Sequence, residues 1–392
     1  MNAKKPRVCV GMSGGVDSSV TAYLLKKQGY EVIGLTFRNW PQDCVSRAED
    51  KCCGPQAVTD ARMVAHSLGI PHYVVDEIDS FQRGVIDYFV AEYKNGRTPN
   101  PCVICNEKIK FGTLLNKAHA LGADYIATGH YARIEVVGRD GSPSRPSPAS
   151  LTNDAARWAT APYLGSNGVR YLLRKGRDDH KDQSYFLFSL RQGQLARSLM
   201  PLGELAKEET RAIARELNLK TYDKVESQEI CFVPDRDYGR FLREGAKLPD
   251  QKGDIVTRDG KVLGHHDGVQ HFTIGQREGL NQGGRRFPLY VVELDAKTNR
   301  VVVGSVDELM RDEFEVANCN WLGTDEPERP FEASVKIRYN HKGCPAKVVI
   351  LSGAKDLGRA RVVLAEPQRA VTPGQAAVFY RDDLVVGGGW IC

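Results

Sequence analysis

The chain lacks any apolar run that approaches the roughly 20 residues needed to cross a bilayer. The stretch from Met1 to Arg7 has no apolar core of the kind found in a signal peptide, and a strand pattern follows it directly. We therefore expect a cytoplasmic protein with no membrane partner. Thiols stay reduced in that compartment, so the ten cysteines are not expected to form a disulfide framework.

The sequence also lacks a strong excess of charge of either sign. A net charge of +5 over 392 residues says little about partners. Basic residues are nevertheless concentrated in one stretch, where a polyanion could bind through its phosphates. A solvated charged surface explains that stretch equally well. The residues are Arg170, Arg174, Lys175, Arg177, Lys181 and Arg191.

No internal repeat is found, and the first 135 residues alternate strand and helix patterns. Short apolar strands are predicted over 8–11, 31–37, 72–76 and 123–130, with amphipathic helices between them. This alternation predicts an α/β fold with a doubly wound parallel sheet, in which ligands bind beyond the carboxyl ends of the strands. A further helical region is predicted over 191–219.

The pattern changes after about residue 224. Short alternating stretches predict a small central mixed domain over 225–306, with extended segments at 253–256, 271–274 and 289–293. Repeated short strands then predict a C-terminal β-barrel over 307–392. The first domain is expected over 1–224, and its segment 138–168, rich in Gly, Ser, Pro and Ala, predicts a flexible surface insertion.

The first chemical motif follows the first strand. Glycines there let the backbone approach an anion, and the helix that begins next offers free N–H groups to a phosphate. The loop lacks the lysine of a Walker motif, and its aspartate would repel phosphate unless a cation bridged the two. An ordinary glycine-rich turn is the alternative, although the full string makes it a poor one. The motif comprises Gly11, Met12, Ser13, Gly14, Gly15, Val16, Asp17 and Ser18.

Two other residues are expected at carboxyl ends of the predicted strands. Phe37 could contact an adenine, and Gly129 could let a nucleotide approach the backbone. Each could equally be a loop residue without such a role.

The second motif is a Cys-x-x-Cys pair, Cys102 and Cys105, which follows Asn100 and Pro101. It is consistent with a redox dithiol, half of a zinc site, part of an iron–sulfur site, or two unrelated core thiols, and metal binding is the best of these on spacing alone. The adjacent Cys52 and Cys53 suit tetrahedral chelation poorly. A single cysteine such as Cys231 is more often a core residue.

These motifs together resemble the bacterial tRNA-specific 2-thiouridylases, members of the PP-loop superfamily of N-type ATP pyrophosphatases. The resemblance covers nearly the whole chain outside 138–168. It rests on long strings: the loop at 11–19, and further matches at 96–101, 126–131, 181–187, 230–232, 275–277, 371–375 and 387–389.

The resemblance implies a reaction in two stages. The enzyme would use ATP to adenylate the C2 oxygen of the wobble uridine of tRNA, and sulfur would then replace that oxygen. Pyrophosphate would rest on the loop at 13–18, with Mg²⁺ expected to offset the charge beside Asp17. A cysteine persulfide is a natural sulfur carrier. By family position Cys231 would carry the persulfide, supplied by a sulfur-donor protein, and Cys105 would assist its release by forming a transient disulfide.

The resemblance also implies contacts with the anticodon region of tRNA. Asn100, Pro101 and Cys102 would border the target base, which must leave its stack to react. The further tRNA-contacting positions are His130, Lys181, Asp182, Gln183, Arg338, Tyr339 and Gln375.

One departure concerns the general base. Some relatives have Asp at the position of Cys102, so the acid–base assignment is open here. Cys102, Cys105 and Cys231 could instead hold an iron–sulfur cluster with one open iron. A persulfide route without a cluster is the alternative.

Two rival functions remain at this point. An amide-forming ligase of the argininosuccinate or lysidine type would use the same loop without paired thiols. A non-catalytic tRNA-binding or metal-storage protein would show no ATP cleavage with tRNA present, and the intact loop argues against it.

Overall fold

The computed structural model describes residues 5–39, 55–138, 169–219, 222, 230–233, 235, 237–280, 287–323, 330–351 and 358–392. The predicted insertion at 138–168 lies outside these residues except for Gly138, and so do Cys52 and Cys53. Within the described residues, no helix combines the length and the apolar character that crossing a membrane requires.

The N-terminal sheet is parallel, as the alternating pattern predicts. Its strand order is β3-β2-β1-β4-β7, with every neighbouring pair parallel. The central strand contributes Val8, Cys9 and Val10, all fully buried, as expected where helices cover both faces. In chain order the strands of this half are β1 (Arg7–Gly11), β2 (Glu31–Arg38), β3 (His72–Asp76), β4 (Tyr125–Ala127), β5 (Ala132–Val137), β6 (Arg170–Lys175) and β7 (Ser198–Leu199).

The helices are α1 (Val16–Lys27), α2 (Pro55–Leu68), α3 (Ile78–Phe81), α4 (Asp87–Lys94), α5 (Pro101–Ile104), α6 (Leu114–Ala120), α7 (Gln192–Leu195), α8 (Lys207–Glu216) and α9 (Tyr238–Arg240). Wider π-helical turns continue α3, α5 and α9 over Gln82–Ile86, Cys105–Thr113 and Phe241–Gly245. Single 3₁₀ turns lie at Ser184–Leu187, Pro201–Glu204, Val269–His271 and Asp307–Leu309.

The continuous helical region predicted over 191–219 is wrong. Strand β7 and the 3₁₀ turn Pro201–Glu204 separate α7 from α8. Pro201 has no N–H for a helix, and Gly203 lies so close to the Ala132 carbonyl that a Cβ would come within 2.0 Å of its oxygen. The local apolar spacing was helical, but this contact with β5 sets the backbone.

The central domain has a four-stranded sheet in the order β10-β11-β8-β9. Its strands are β8 (Gly253–Thr257), β9 (Val262–His266), β10 (Tyr290–Asp295) and β11 (Arg300–Gly304). The predicted segments at 253–256 and 289–293 correspond to β8 and β10. The short alternating stretch at 271–274 forms no strand in the described structure: His271 ends a 3₁₀ turn, and Phe272 after it is extended but unpaired with any strand.

The C-terminal strands close into a six-stranded barrel. The order is β12-β15-β14-β13-β16-β17, and β12 pairs with β17 to complete the ring. The sequence patterns over 331–339, 346–351, 359–364 and 376–380 predict four of these strands, β13 to β16. Strands β12 and β17 are not predicted, and the three consecutive glycines of β17 carry little strand propensity. The strands are β12 (Met310–Trp321), β13 (Phe331–Lys336), β14 (Cys344–Ile350), β15 (Arg359–Arg369), β16 (Ala376–Arg381) and β17 (Leu384–Ile391).

The β5–β6 hairpin ties the N-terminal part of the chain to the barrel. Strand β6 pairs with β17, and Asp383 accepts ion pairs from Arg133 at 2.6 Å and Arg174 at 2.5 Å. One buried cluster includes Cys9 of β1 and Val378 of β16, so the parallel sheet and the barrel share a hydrophobic core. The two halves are thereby held in a fixed relation, which positions the site described next.

Candidate functional site

The phosphate-binding motif forms a tight loop between β1 and α1. Ser18 Oγ closes it by accepting from the Ser13 N–H at 3.2 Å and donating to the Gly15 carbonyl at 3.2 Å. Gly14 has φ of +70°, and a Cβ there would lie 2.3 Å from the Ala57 carbonyl oxygen of α2. Ser13 is exposed at the mouth of the loop. The first turn of α1 thus begins beside an exposed residue and has no side-chain cap, an arrangement that suits an anion.

Strand β2 supports this loop from one side. The Met12 N–H donates to the Leu35 carbonyl at 2.8 Å, and Thr36 Oγ1 donates to the Met12 carbonyl at 2.6 Å. Phe37 follows at the carboxyl end of the same strand and is half-buried. The predicted adenine-contacting residue and the loop therefore stand on adjacent strands at one edge of the sheet.

Gly129 packs directly on the start of α1. A Cβ at this position would lie 2.9 Å from the Ser18 backbone nitrogen and from the Asp17 Cβ. The glycine is required by this close approach of two backbones, whether or not a nucleotide is bound. Its predicted nucleotide contact stays a prediction.

Asp17 is held by two residues that the sequence reasoning did not find. Lys207 Nζ lies 2.7 Å and 2.9 Å from its two carboxylate oxygens, and the Tyr131 hydroxyl donates to one of them at 2.9 Å. Lys207 is the first residue of α8, far along the chain. The loop therefore acquires a cation from a distant helix.

The paired thiols lie at the junction of α5 and the π-helical turn that follows it. Asn100 caps α5 by accepting from the Val103 N–H at 3.4 Å. Cys102 is exposed, while Cys105 is half-buried. Cys231 is also half-buried, and it packs with Cys105 against the same buried cluster of Phe81, Phe89, Ile104 and Phe232. The fold thus brings the two predicted sulfur-handling residues to one hydrophobic cluster, and Phe37 packs against it as well.

A metal centre built from these thiols is not assembled in this conformation. Among the described residues, which include Cys102, Cys105 and Cys231, no three His, Cys, Asp or Glu side chains are grouped so as to hold a metal ion. The donor set of the iron–sulfur alternative is therefore incomplete in this arrangement.

The segment before α5 is clamped by the barrel. The Thr98 N–H donates to the Pro373 carbonyl at 2.9 Å, and Gln375 Nε2 donates to the carbonyls of Thr98 at 3.2 Å and Pro99 at 3.0 Å. Arg97 Nη2 adds a bond to the Ile391 carbonyl at 3.1 Å. Pro101 is buried just beyond this clamp.

A cavity of about 410 Å³ borders the same helical segment. Its wall carries both signs of charge, and neither thiol nor the phosphate loop lines it. The lining includes Arg97, Ile104, Glu107, Lys108, Arg191 and Trp390.

Several residues with predicted tRNA contacts make contacts inside the protein. Asp182 Oδ1 accepts from the N–H groups of Gly176 at 3.1 Å and Ser184 at 3.0 Å, and Gln183 Oε1 accepts from the Tyr131 N–H at 3.1 Å. The His130 ring bonds Thr128 Oγ1 at 2.8 Å. Burial holds the pKa of His130 well below its usual value, so the ring is neutral at pH 7.

The other predicted tRNA contacts lie nearer the surface. Tyr339 packs on the ring of Phe186 with centroids 4.5 Å apart. Lys336 Nζ lies 5.8 Å from the centroid of the Tyr339 ring. Arg338 is exposed and donates to the Arg369 carbonyl at 3.3 Å, while Lys181 is half-buried. Their tRNA contacts stay predictions.

Comparison with known proteins identifies the family. Three family models match in succession: a tRNA methyl transferase HUP domain over residues 6–235, a tRNA methyl transferase PRC-barrel domain over 240–305, and an aminomethyltransferase beta-barrel domain over 311–391. The chain is 45% identical over 388 residues to the tRNA-specific 2-thiouridylase MnmA 1 of Clostridium botulinum (strain Loch Maree / Type A3), with 99% of each chain covered. It is 45% identical over 393 residues to the tRNA-specific 2-thiouridylase MnmA 2 of Clostridium tetani (strain Massachusetts / E88), with 100% of each covered. The chain belongs to the tRNA-specific 2-thiouridylase family.

Proposed function

We propose that this protein is a tRNA-uridine 2-sulfurtransferase that uses ATP to convert the wobble uridine of tRNA to 2-thiouridine in the cytoplasm. The observation that carries the proposal is the joint position of two chemistries. An anion cradle at the start of α1 and two thiols on one buried cluster are linked through β2, which bonds the loop at Leu35 and contacts the thiol cluster at Phe37.

The first stage is adenylation at the loop. The uridine C2 oxygen attacks the α-phosphorus of ATP, and pyrophosphate leaves. The amides of the loop at 13–18 and the dipole of α1 stabilise the departing anion. The activated oxygen can then depart as AMP, which is a far better leaving group than a base carbonyl oxygen.

The second stage moves sulfur. A donor protein loads Cys231 as a persulfide, whose terminal sulfur attacks C2 and expels AMP. The Cys105 thiolate then attacks Sγ of Cys231, and the electron pair of the broken S–S bond passes to the sulfur that remains on C2. A Cys105–Cys231 disulfide forms, and a thiol reductant resets it. The two half-buried thiols must approach each other from their shared cluster for this step.

We propose the persulfide route over the iron–sulfur route because it needs only Cys105 and Cys231, which pack against one hydrophobic cluster. Cys102, exposed on α5, is then a neighbour of the target base and no ligand. Iron content after anaerobic purification, measured alongside thiolation activity, tests this choice. Stoichiometric iron that is required for turnover would favour the cluster.

The whole proposal is tested by mass spectrometry of tRNA nucleosides from cells with and without this protein. Loss of 2-thiouridine at the wobble position is expected without it. In vitro, Cys231→Ser and Cys105→Ser should each abolish thiolation while tRNA-dependent release of pyrophosphate from ATP persists.

The matched control is Cys392→Ser, which changes an exposed cysteine at the barrel end. It should turn over like the parent. If both site variants retained full turnover, an amide-forming ligase would become the better assignment.

A further inference from the structure

The lysine beside Asp17 occupies a costly position. Lys207 opens α8, where the positive end of the helix dipole disfavours a cation, and its side chain is only 9% exposed. Buried lysines are rare unless they are paired. The pairing with Asp17 offsets both costs, and departures of this kind from local preference are expected at functional sites.

Both carboxylate oxygens of Asp17, in turn, have a partner within the protein. Lys207 bonds both of its carboxylate oxygens, and Tyr131 donates to Oδ1. Lys207 Nζ also lies 5.5 Å from the centroid of the Tyr131 ring, and the Tyr131 hydroxyl reaches Thr210 Oγ1 of α8 at 3.1 Å. These contacts hold the carboxylate against α8 and place a positive charge of the protein itself beside it.

This pairing supplies an alternative to the expected Mg²⁺ as the cation that offsets the charge of Asp17. We propose that Lys207 is the cation that does so, as a positioning residue of the phosphate loop. It neutralises Asp17 and holds it in place, so that the loop receives pyrophosphate without like-charge repulsion. The inference rests on the proposed function, since it takes the loop to be the nucleotide site.

The size of the effect follows from Coulomb's law. Two unit charges about 6 Å apart, at an effective dielectric constant near 20, repel each other enough to weaken binding roughly 100-fold. Asp17 is 31% exposed, so water and salt screen the repulsion and reduce this figure. We therefore expect roughly 10- to 100-fold weaker binding of ATP and of pyrophosphate when Lys207 loses its charge.

The experiment is calorimetric titration of the full-length protein with ATP, pyrophosphate and AMP. Lys207→Met should weaken ATP and pyrophosphate and leave AMP, which lacks the β- and γ-phosphates, nearly unchanged. The double variant Asp17→Asn/Lys207→Met removes both charges, and it should bind ATP within about 3-fold of the parent because the repelling carboxylate is gone. Arg215→Met, an exposed site on the same helix, makes the same change in net charge and should have no effect.

Two results would overturn the proposal: parental ATP affinity in Lys207→Met, or a double variant as weak as the single one. If Lys207→Met does not fold, Lys207→Gln takes its place, alone and combined with Asp17→Asn, under the same two criteria. Ser13→Tyr places a bulky ring at the exposed mouth of the loop. It tests whether the loop is the nucleotide site, independently of the role of Lys207. If that variant binds ATP normally, the nucleotide site is elsewhere. If it loses ATP while Lys207→Met keeps it, only the role of Lys207 is wrong.

Discussion

Gln375 has a predicted tRNA contact, but its bonds within the protein predict that it positions the segment before α5 instead. Its amide donates to the Thr98 and Pro99 carbonyls at 3.2 Å and 3.0 Å, which fastens the segment before α5 to the barrel. Gln375→Ala removes both bonds. Each contributes about 1 kcal/mol net, so the free energy of unfolding should fall by about 1–2 kcal/mol.

The same change should slow thiolation more than it weakens tRNA binding. A looser segment lets α5 and its Cys102 and Cys105 leave the productive geometry, and small misplacements at a reacting centre are costly. We expect the single-turnover rate of thiolation to drop several-fold while the Kd for tRNA, measured by filter binding, changes less than about 2-fold.

Gln368→Ala is the matched control, since within the described part of the chain its side-chain amide bonds to His341 and Glu366 of the barrel. It should leave the rate unchanged. A Gln375→Ala protein with parental stability and a much weaker Kd for tRNA would refute the clamp and return Gln375 to the RNA interface.

Three further predictions follow from contacts described above. Gly129→Ala should cost about 1–3 kcal/mol of stability and lower ATP affinity, because its new methyl group meets the first turn of α1. The control is Gly84→Ala, whose Cβ would have no neighbour closer than 3.8 Å. Equal effects of the two changes would contradict the argument. Because the pKa of His130 is lowered in the folded protein, the unfolded chain binds more protons, and the free energy of unfolding should fall as the pH drops below about 6.5. In His130→Gln, the free energy of unfolding measured in urea should therefore change less between pH 7.5 and 5.5. Asp383→Asn breaks the ion pairs with two arginines and should cost about 1 kcal/mol in chemical denaturation, less in high salt, whereas Asp382→Asn at the neighbouring left-handed position (φ +55°) should cost nothing.

The parallel sheet was predictable because its signals are local. A buried apolar strand such as β1, followed by a glycine turn and a helix, can be recognised within a short stretch of sequence. The phosphate loop was predictable for the same reason, since it lies within one strand–turn–helix unit.

The secondary-structure predictions that are wrong or missing have a common cause in contacts between residues far apart in the sequence. The helical pattern over 191–219 is interrupted because Gly203 meets β5, and β17 is a strand because its glycines pack against β12, where a Cβ at Gly387 would lie 2.4 Å from the Asn320 oxygen. Neither contact can be recognised from a short stretch of sequence.

Lys207 shows the same limit within the site. A lysine at the start of an amphipathic helix has the sequence signature of an exposed residue, and its partner Asp17 is 190 positions away. A lysine at the unfavourable end of a helix dipole is a weak local signal that sequence reasoning could have used.

The bond from Arg97 to the Ile391 carbonyl has a consequence for how the molecule is made. A ribosome delivers the nucleotide-cradle half of the chain well before strand β17 exists, and domains generally fold in the order of their synthesis. The thiol segment therefore acquires its final anchor only when the barrel closes. A nascent chain released early would contain the loop between β1 and α1 but would lack the bond that anchors the segment before Cys102 and Cys105 to the barrel.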